Sequence, residues 1–124
     1  MHIPDALPVF DALVPDLARR AEHYRVDTSE VDQEVLDLFV TEIDGMLPRL
    51  RAAAQSGDTA VLRGHSHSLL GMGGVIGAPE ISVVGEELSN AAKAGDWPRC
   101  AALAEALAAW MTGFAGGAAA KGSP

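Results

Sequence analysis

Three short turn signals divide most of the chain into helical segments. The pairs Gly57-Asp58, Gly77-Ala78 and Gly95-Asp96 each separate two runs in which apolar residues recur three or four positions apart, the spacing of an α-helix. Connections this short force consecutive helices to lie antiparallel. The sequence therefore predicts an all-α fold, an antiparallel up-down-up-down four-helix bundle with an additional N-terminal helix. No alternating strand pattern competes with it.

Local capping signals give the expected boundaries. The N-terminal run from Leu7 to Tyr24 has helical spacing, but Pro15 interrupts it, so one kinked helix or two short helices are expected. The second helix is predicted to start at Glu30, after caps at Asp27, Thr28 or Ser29, and to end at Gly57. The third is capped by Asp58 and runs to Ile76, the fourth starts at Pro79 and ends at Gly95, and the fifth runs from Asp96 to Phe114. This organisation divides the chain into an N-terminal helical segment (1–28), the bundle (29–115) and a flexible tail (116–124).

Composition narrows the class of protein. Hydrophobic residues make up 48% of the chain but aromatic residues only 5%, so Ala, Leu and Val must form most of the core, which favours packed helices. A formal net charge of -8 argues against nucleic acid or anionic lipid as a partner. The single cysteine, Cys100, cannot form an intrachain disulfide and is interpreted as a core filler. No apolar stretch approaches the ~20 residues of a membrane span, so membrane insertion is not expected and a cytoplasmic location is. The protein is also expected to be a monomer.

The third helix separates two nearby histidines. Projected at about 100° per residue, one face of this helix is apolar or small and is predicted to be the core face: Leu62, His65, Ser66, Leu69, Met72, Gly73 and Ile76. His67 falls about 170° from the centre of that face, so its imidazole is expected on the solvent side. His65 is interpreted as a half-buried histidine that is hydrogen-bonded within the bundle.

Glycines surround the exposed histidine. Each costs up to about 1 kcal/mol relative to Ala inside a helix. Close helix packing can explain Gly73, but Gly71 and Gly74 project to the open side, where they leave clearance for a group on His67 or for a docked partner. The candidate docking residues, all within about 60° of His67, are Arg63, Gly64, Leu70, Gly71 and Gly74.

The run His67-Ser68-Leu69-Leu70-Gly71, with Gly74, Gly77 and the amphipathic helix that ends at Gly95-Asp96, resembles the signature of the histidine-containing phosphotransfer (HPt) family. That signature is His, any residue, Leu, commonly Lys, then Gly. The resemblance extends over Glu30 to Phe114 and includes Glu34–Phe39 and Ser56-Gly57-Asp58. The sequence departs from it at Leu70, where the family usually has Lys. Arg63, one turn earlier, is a candidate substitute cation.

The resemblance implies a phosphocarrier of two-component signal transduction. Such a domain takes a phosphoryl group from a receiver-domain aspartate and passes it to another, forming phosphohistidine, here on His67. An imidazole has an ordinary pKa near 6.5, so at neutral pH one ring nitrogen carries the lone pair that a nucleophile needs. The implied partners are response-regulator receiver domains and a hybrid sensor histidine kinase. No cofactor is expected on this chain, because the receiver supplies the aspartate and Mg²⁺, and the carrier is not an enzyme with its own ATP site.

Other functions are less well supported by the sequence. A non-phosphorylated helical interaction module of the same fold is the main alternative, and a small helical enzyme is the weaker one. His65 and His67 point about 160° apart and cannot chelate one metal, and His2 and His23 lie in other elements. The glycines from 71 to 77 lack the Lys-Ser/Thr of a phosphate-binding P-loop. The aromatic and sulfur side chains near the helix ends are interpreted as packing residues: Trp97, Trp110, Met111 and Phe114.

Overall fold

The computed structural model of the protein describes residues 3–26 and 31–122, with side chains described up to Phe114. Every regular element in these residues is a helix. They are α1 (Leu7–Phe10), α2 (Leu17–Glu22), α3 (Gln33–Ser56), α4 (Thr59–Met72), α5 (Pro79–Lys93) and α6 (Trp97–Gly122). The all-α prediction is confirmed: α3 to α6 form the helical bundle, and α1 and α2 are the additional N-terminal helical part.

Most predicted boundaries are confirmed by cap geometry. Asp58 accepts a hydrogen bond from the Val61 N–H at 3.2 Å, and Asp96 accepts one from the Arg99 N–H at 3.2 Å. Gly57 ends α3 in the left-handed conformation, with φ of 70°. α3 begins at Gln33, where Asp32 caps it by accepting a hydrogen bond from the Glu34 N–H. The expected caps at positions 27–29 and the start at position 30 lie outside the described residues.

The end of α4, which corresponds to the third predicted helix, differs from the prediction. The regular helix α4 stops at Met72 rather than at Ile76, and one looser turn continues to Gly77, whose φ is 75°. Gly73 and Gly74 disfavour a regular helix in this turn. Both also face other parts of the chain at close range: a Cβ on Gly73 would collide with the Ser82 backbone nitrogen, and one on Gly74 would lie 2.5 Å from the Tyr24 carbonyl oxygen. Tertiary packing therefore sets this boundary.

The core draws on all six helices. Cys100 is fully buried, as predicted, and burial raises the pKa of its thiol. Trp110, Met111 and Phe114 are buried as predicted, and the Trp110 and Phe114 rings meet edge to face with centroids 4.9 Å apart. The half-buried Trp97 packs near the glycine turn that ends α3. These residues are packing residues.

Residues 3–26 form an N-terminal strap that crosses the bundle. Four of its apolar side chains are at most 1% exposed and belong to the common core: Phe10, Val14, Leu17 and Ala21. The Trp110 indole N–H donates a hydrogen bond to the Pro4 carbonyl at 2.9 Å, which fixes the start of the strap on α6. The strap is thus packed into the same core as the bundle.

The far end of the chain is helical further than the sequence suggests. The backbone of α6 extends to Gly122, so it overlaps the segment 116–124 that was expected to be a tail, and positions 123 and 124 lie outside the described residues. Among the described helices, none combines the length and the apolar character needed to cross a membrane.

Candidate functional site

The buried face of α4 determines where His67 points. Leu62 and Leu69 are fully buried, and Ser66 is buried with its hydroxyl donating to the Leu62 carbonyl at 2.6 Å. These residues fix the rotation of the helix about its axis. His67 is consequently exposed, as the projection predicts, and His65 is half-buried on the other side.

An open groove lies beside His67, between α4 and α5. We call it the His67 groove; its volume is about 540 Å³. Its walls come from two helices and are mostly polar or small: Arg63, Gly64, Ser66, His67, Leu70, Gly85, Glu86, Ser89, Asn90 and Lys93. Of the predicted docking residues, Arg63, Gly64 and Leu70 line this groove.

The two walls run antiparallel and very close together. The Ala78 N–H donates to the Gly73 carbonyl at 2.9 Å, and the Ser82 hydroxyl donates to the Leu70 carbonyl at 2.8 Å. Further along α5, a Cβ on Gly85 would lie 2.6 Å from the Ser66 carbonyl oxygen. Positions therefore rise on α5 as they fall on α4, and Gly85 sits against the turn of α4 that carries His67.

The glycines near His67 fall into two classes. A Cβ added at Gly64 or Gly71 would meet no atom within 4 Å, so the fold does not require glycine at either position, and both are exposed. Gly74 was expected on this open side, and that prediction is wrong. It is buried under the Tyr24 backbone, because α4 ends before it and the strap covers the following turn. Gly74 is thus a packing residue and not part of an exposed docking surface.

The carboxylate in the groove is held by the strap. Glu86 accepts hydrogen bonds from the Tyr24 hydroxyl and from Arg20, the latter at 2.6 Å, and these two contacts lower the pKa of the carboxyl. Glu87, next along α5, pairs with Arg20 at 2.6 Å and with Arg99 at 3.1 Å. We call these five residues the clasp. Arg20 and Arg99 together balance the two carboxylates, so Glu86 contributes little net negative charge to the groove.

Two cations in the groove have no anionic partner among the residues that the structure describes. Among the basic side chains that the structure describes, five arginines are ion-paired: Arg19, Arg20, Arg25, Arg51 and Arg99. The remaining three, Arg49, Arg63 and Lys93, form no ion pair with a described residue. Two of these three line the His67 groove. In a chain with 17 acidic and 9 basic residues, this leaves local positive charge beside the histidine.

His65 opens onto a different groove, between α3 and α4. That groove is also lined by Arg49, Ser56 and Asp58. Burial lowers the pKa of His65, and the nearby charge of Arg49 lowers it further. The half-buried position agrees with the sequence interpretation, but the expected hydrogen bond is not present: no described residue bonds to the His65 side chain.

Comparison with protein families shows that the model of the Hpt domain matches residues 34–116. The chain belongs to the Hpt domain family. The family resemblance expected from the sequence is thereby confirmed. Hpt domains act in histidine phosphotransfer within phosphorelays, where they interact with receiver domains and kinases as phosphocarriers. Neither the curated proteins nor the solved structures gave a match to this chain.

The match begins within α3, so the strap lies outside the matched region. In this Hpt domain the described residues contain no cluster of three or more His, Cys, Asp or Glu side chains that could hold a metal ion.

Sequence reasoning missed the α5 wall of the groove. Its residues Gly85, Ser89 and Lys93 are spaced four apart, so they share one stripe of a helix, and this spacing was available in the sequence. The isolated Gly85 inside a helix was the signal of a close approach. Which helix α5 would approach, and at which level, depends on the register with α4 and is a tertiary property.

Proposed function

We propose that this Hpt domain is a phosphorelay intermediate that carries a phosphoryl group on His67. It accepts the group from the phosphorylated aspartate of one receiver domain and passes it to the aspartate of another. One observation carries the proposal: within the family match, His67 is exposed beside a groove that contains two cations with no ion pair to a described residue. That arrangement leaves the ring accessible to a docked receiver and favours the anionic group that the ring would bear.

The bonds and electrons of the proposed transfer balance without a further reactant. The lone pair of a ring nitrogen forms the N–P bond, the O–P bond of the aspartyl phosphate breaks, and its electron pair returns to the carboxylate. The proton on the other ring nitrogen can then leave to water. Transfer to the second receiver reverses these events on a different aspartate. The chain needs to supply the nucleophile, access and charge compensation.

The test is phosphoryl transfer from a receiver domain of the same organism, labelled on its aspartate with radioactive acetyl phosphate. We expect acid-labile label on the wild-type chain, none on His67→Gln, and normal labelling of His65→Gln. The second variant is a matched control, since it changes the same residue type two positions away. Label that survives in His67→Gln but disappears in His65→Gln would overturn the site assignment.

The absence of label on the wild-type chain also distinguishes the proposal from its alternative. If none of the organism's receivers labels the wild-type chain, but one of them binds it in a pull-down with purified components, the chain is the non-phosphorylated interaction module and the proposal is wrong. A circular dichroism spectrum of each variant, compared with wild type, shows whether the fold is retained.

A further inference from the structure

We infer that the ammonium group of Lys93 provides the positive charge that stabilises the phosphoryl group on His67. The inference rests on the proposed function and assigns a role to a residue on a neighbouring helix. The usual lysine of the family signature is replaced by the half-buried Leu70, so α4 lacks that cation. A phosphoryl group on a ring nitrogen is anionic, and a nearby ammonium stabilises it and attracts the incoming phosphoryl donor.

The antiparallel register brings Lys93 toward His67. Gly85 lies against the Ser66–Leu70 turn of α4. Lys93 is eight residues further along α5, so its Cα lies about 12 Å beyond Gly85, toward the start of α4. Helical side chains lean toward the N-terminus of their own helix. On two antiparallel helices, the side chains of Lys93 and His67 therefore lean toward each other.

From these directions we expect the two side chains to converge near Gly64. His67 leans back along α4 toward the preceding turn, where Gly64 leaves open space: a Cβ there would meet no atom within 4 Å. Gly64, His67 and Lys93 all line the same groove. The fold does not require a glycine at this position, and a phosphoryl group between the ring and the ammonium accounts for the clearance.

Arg63 is the competing cation, but its direction is less favourable. It lies one turn before His67 on the same helix, and its side chain leans away from the histidine, toward the beginning of α4. The carboxylate in the groove does not compete for Lys93, since Glu86 is bound by Tyr24 and Arg20. Lys93 forms no ion pair with a described residue and is exposed, so its charge is available.

The experiment measures two properties of the full chain that do not depend on a receiver. The first is the rate at which potassium phosphoramidate, a small phosphoryl donor that releases ammonia, labels His67. We expect Lys93→Ala to slow labelling about three- to tenfold, the size of one partly solvated charge contact. Lys93→Arg should keep most of the rate, and higher salt should slow the wild type more than Lys93→Ala.

A rescue separates charge from structure. Adding Leu70→Lys to Lys93→Ala returns a cation to the groove from the α4 side, and we expect it to restore most of the lost rate. Arg49→Ala is the matched control: it removes another cation without an ion pair, in the groove of His65, and should leave the rate unchanged. Unchanged labelling in Lys93→Ala, or a larger loss in Arg63→Ala, would overturn the inference.

The second property is the shift of the His67 ring resonances on titration with inorganic phosphate. We expect a saturable shift in the wild type and in Arg49→Ala, and a strongly weakened one in Lys93→Ala. Equal shifts in wild type and Lys93→Ala would overturn the inference even if no phosphoryl donor labels the protein. Conversely, a Lys93-dependent shift without transfer from any receiver would retain the inference and reject the proposed function.

Discussion

At the scale of single residues, the glycines of α4 and α5 distinguish requirements of the fold from requirements of the surface. Gly64 and Gly71 have open space where a Cβ would be, whereas Gly85 has the Ser66 carbonyl there. A helix loses stability at every glycine. Gly85 is needed because it lets two helices approach, but Gly64 and Gly71 lower stability without improving any contact within the described residues.

This difference predicts that alanine substitutions at the two kinds of glycine change the free energy of unfolding in opposite directions. We expect Gly64→Ala and Gly71→Ala each to raise the free energy of unfolding by about 0.5–1 kcal/mol, because Ala favours the helix and meets no neighbour. Gly85→Ala is expected to lower it by about 1–3 kcal/mol, because the new methyl group forces α5 away from α4. Urea unfolding followed by circular dichroism measures all three.

One of these variants, Gly71→Ala, also tests whether the open space at the glycine serves docking. Gly71→Ala should slow transfer from a receiver domain although it stabilises the protein, because the methyl group narrows the approach to His67. A Gly71→Ala variant that is more stable and transfers at the wild-type rate would show that the clearance has no role in docking.

At the scale of elements, the clasp connects the strap to the wall of the His67 groove. Glu86 belongs to both, since it lines the groove and binds Arg20 and Tyr24 of the strap. These contacts lower the pKa of Glu86 and raise the pKa of Tyr24. The largest cause of the raised Tyr24 pKa is the hydrogen bond from its hydroxyl to Glu86. The folded state therefore favours an ionised carboxyl and a protonated phenol.

The pH dependence of stability follows from these directions. A lowered carboxyl pKa stabilises the fold above the ordinary value of 4.5, and this contribution disappears as pH falls through the lower value in the folded state. A raised phenol pKa stabilises the fold below 10.0 and is lost as pH rises through the higher folded value. We expect Glu86→Gln to lower the free energy of unfolding at neutral pH by about 1 kcal/mol and to weaken the acid dependence.

Urea midpoints measured from acidic to neutral pH check this. The matched control is Glu105→Gln, which breaks the solvent-exposed pair with Arg51 and should change the midpoint at neutral pH very little. Equal losses in the two variants would contradict a specific role for the clasp.

The elements also show what sequence could predict. Asp58, Asp96, Gly57 and Gly95 act within a few residues of their own position, so the helix ends that they set were predictable. The exposure of His67 was predictable for the same reason, because rotation about a helix axis follows from its own apolar stripe. The end of α4 and the burial of Gly74 depend on Tyr24, some fifty positions away in the chain, and no local pattern contains that contact.

At the scale of the whole molecule, the strap belongs to the core although it lies outside the family match. Phe10 is fully buried within the cluster that the long helices form. The strap and the bundle should therefore unfold together in one transition. This expectation concerns the whole chain, because the core contains no separate layer for residues 3–26.

Phe10→Ala tests the shared core. We expect it to lower the free energy of unfolding by about 3–5 kcal/mol, the cost of removing a fully buried aromatic ring, while a single transition is retained. Asp11→Ala, at the exposed neighbouring position, is the control and should have little effect. Calorimetry that resolves an early, separate transition for Phe10→Ala would contradict a common core.

His65 and His67 lie on opposite sides of α4, so their ring signals can report which side of the helix a ligand contacts. The two imidazoles are only two positions apart, yet each opens onto its own groove, one shared with α3 and the other with α5. A ligand on the α5 side perturbs one ring signal and a ligand on the α3 side perturbs the other. A comparison of the two signals therefore shows which side of α4 a partner of unknown structure contacts.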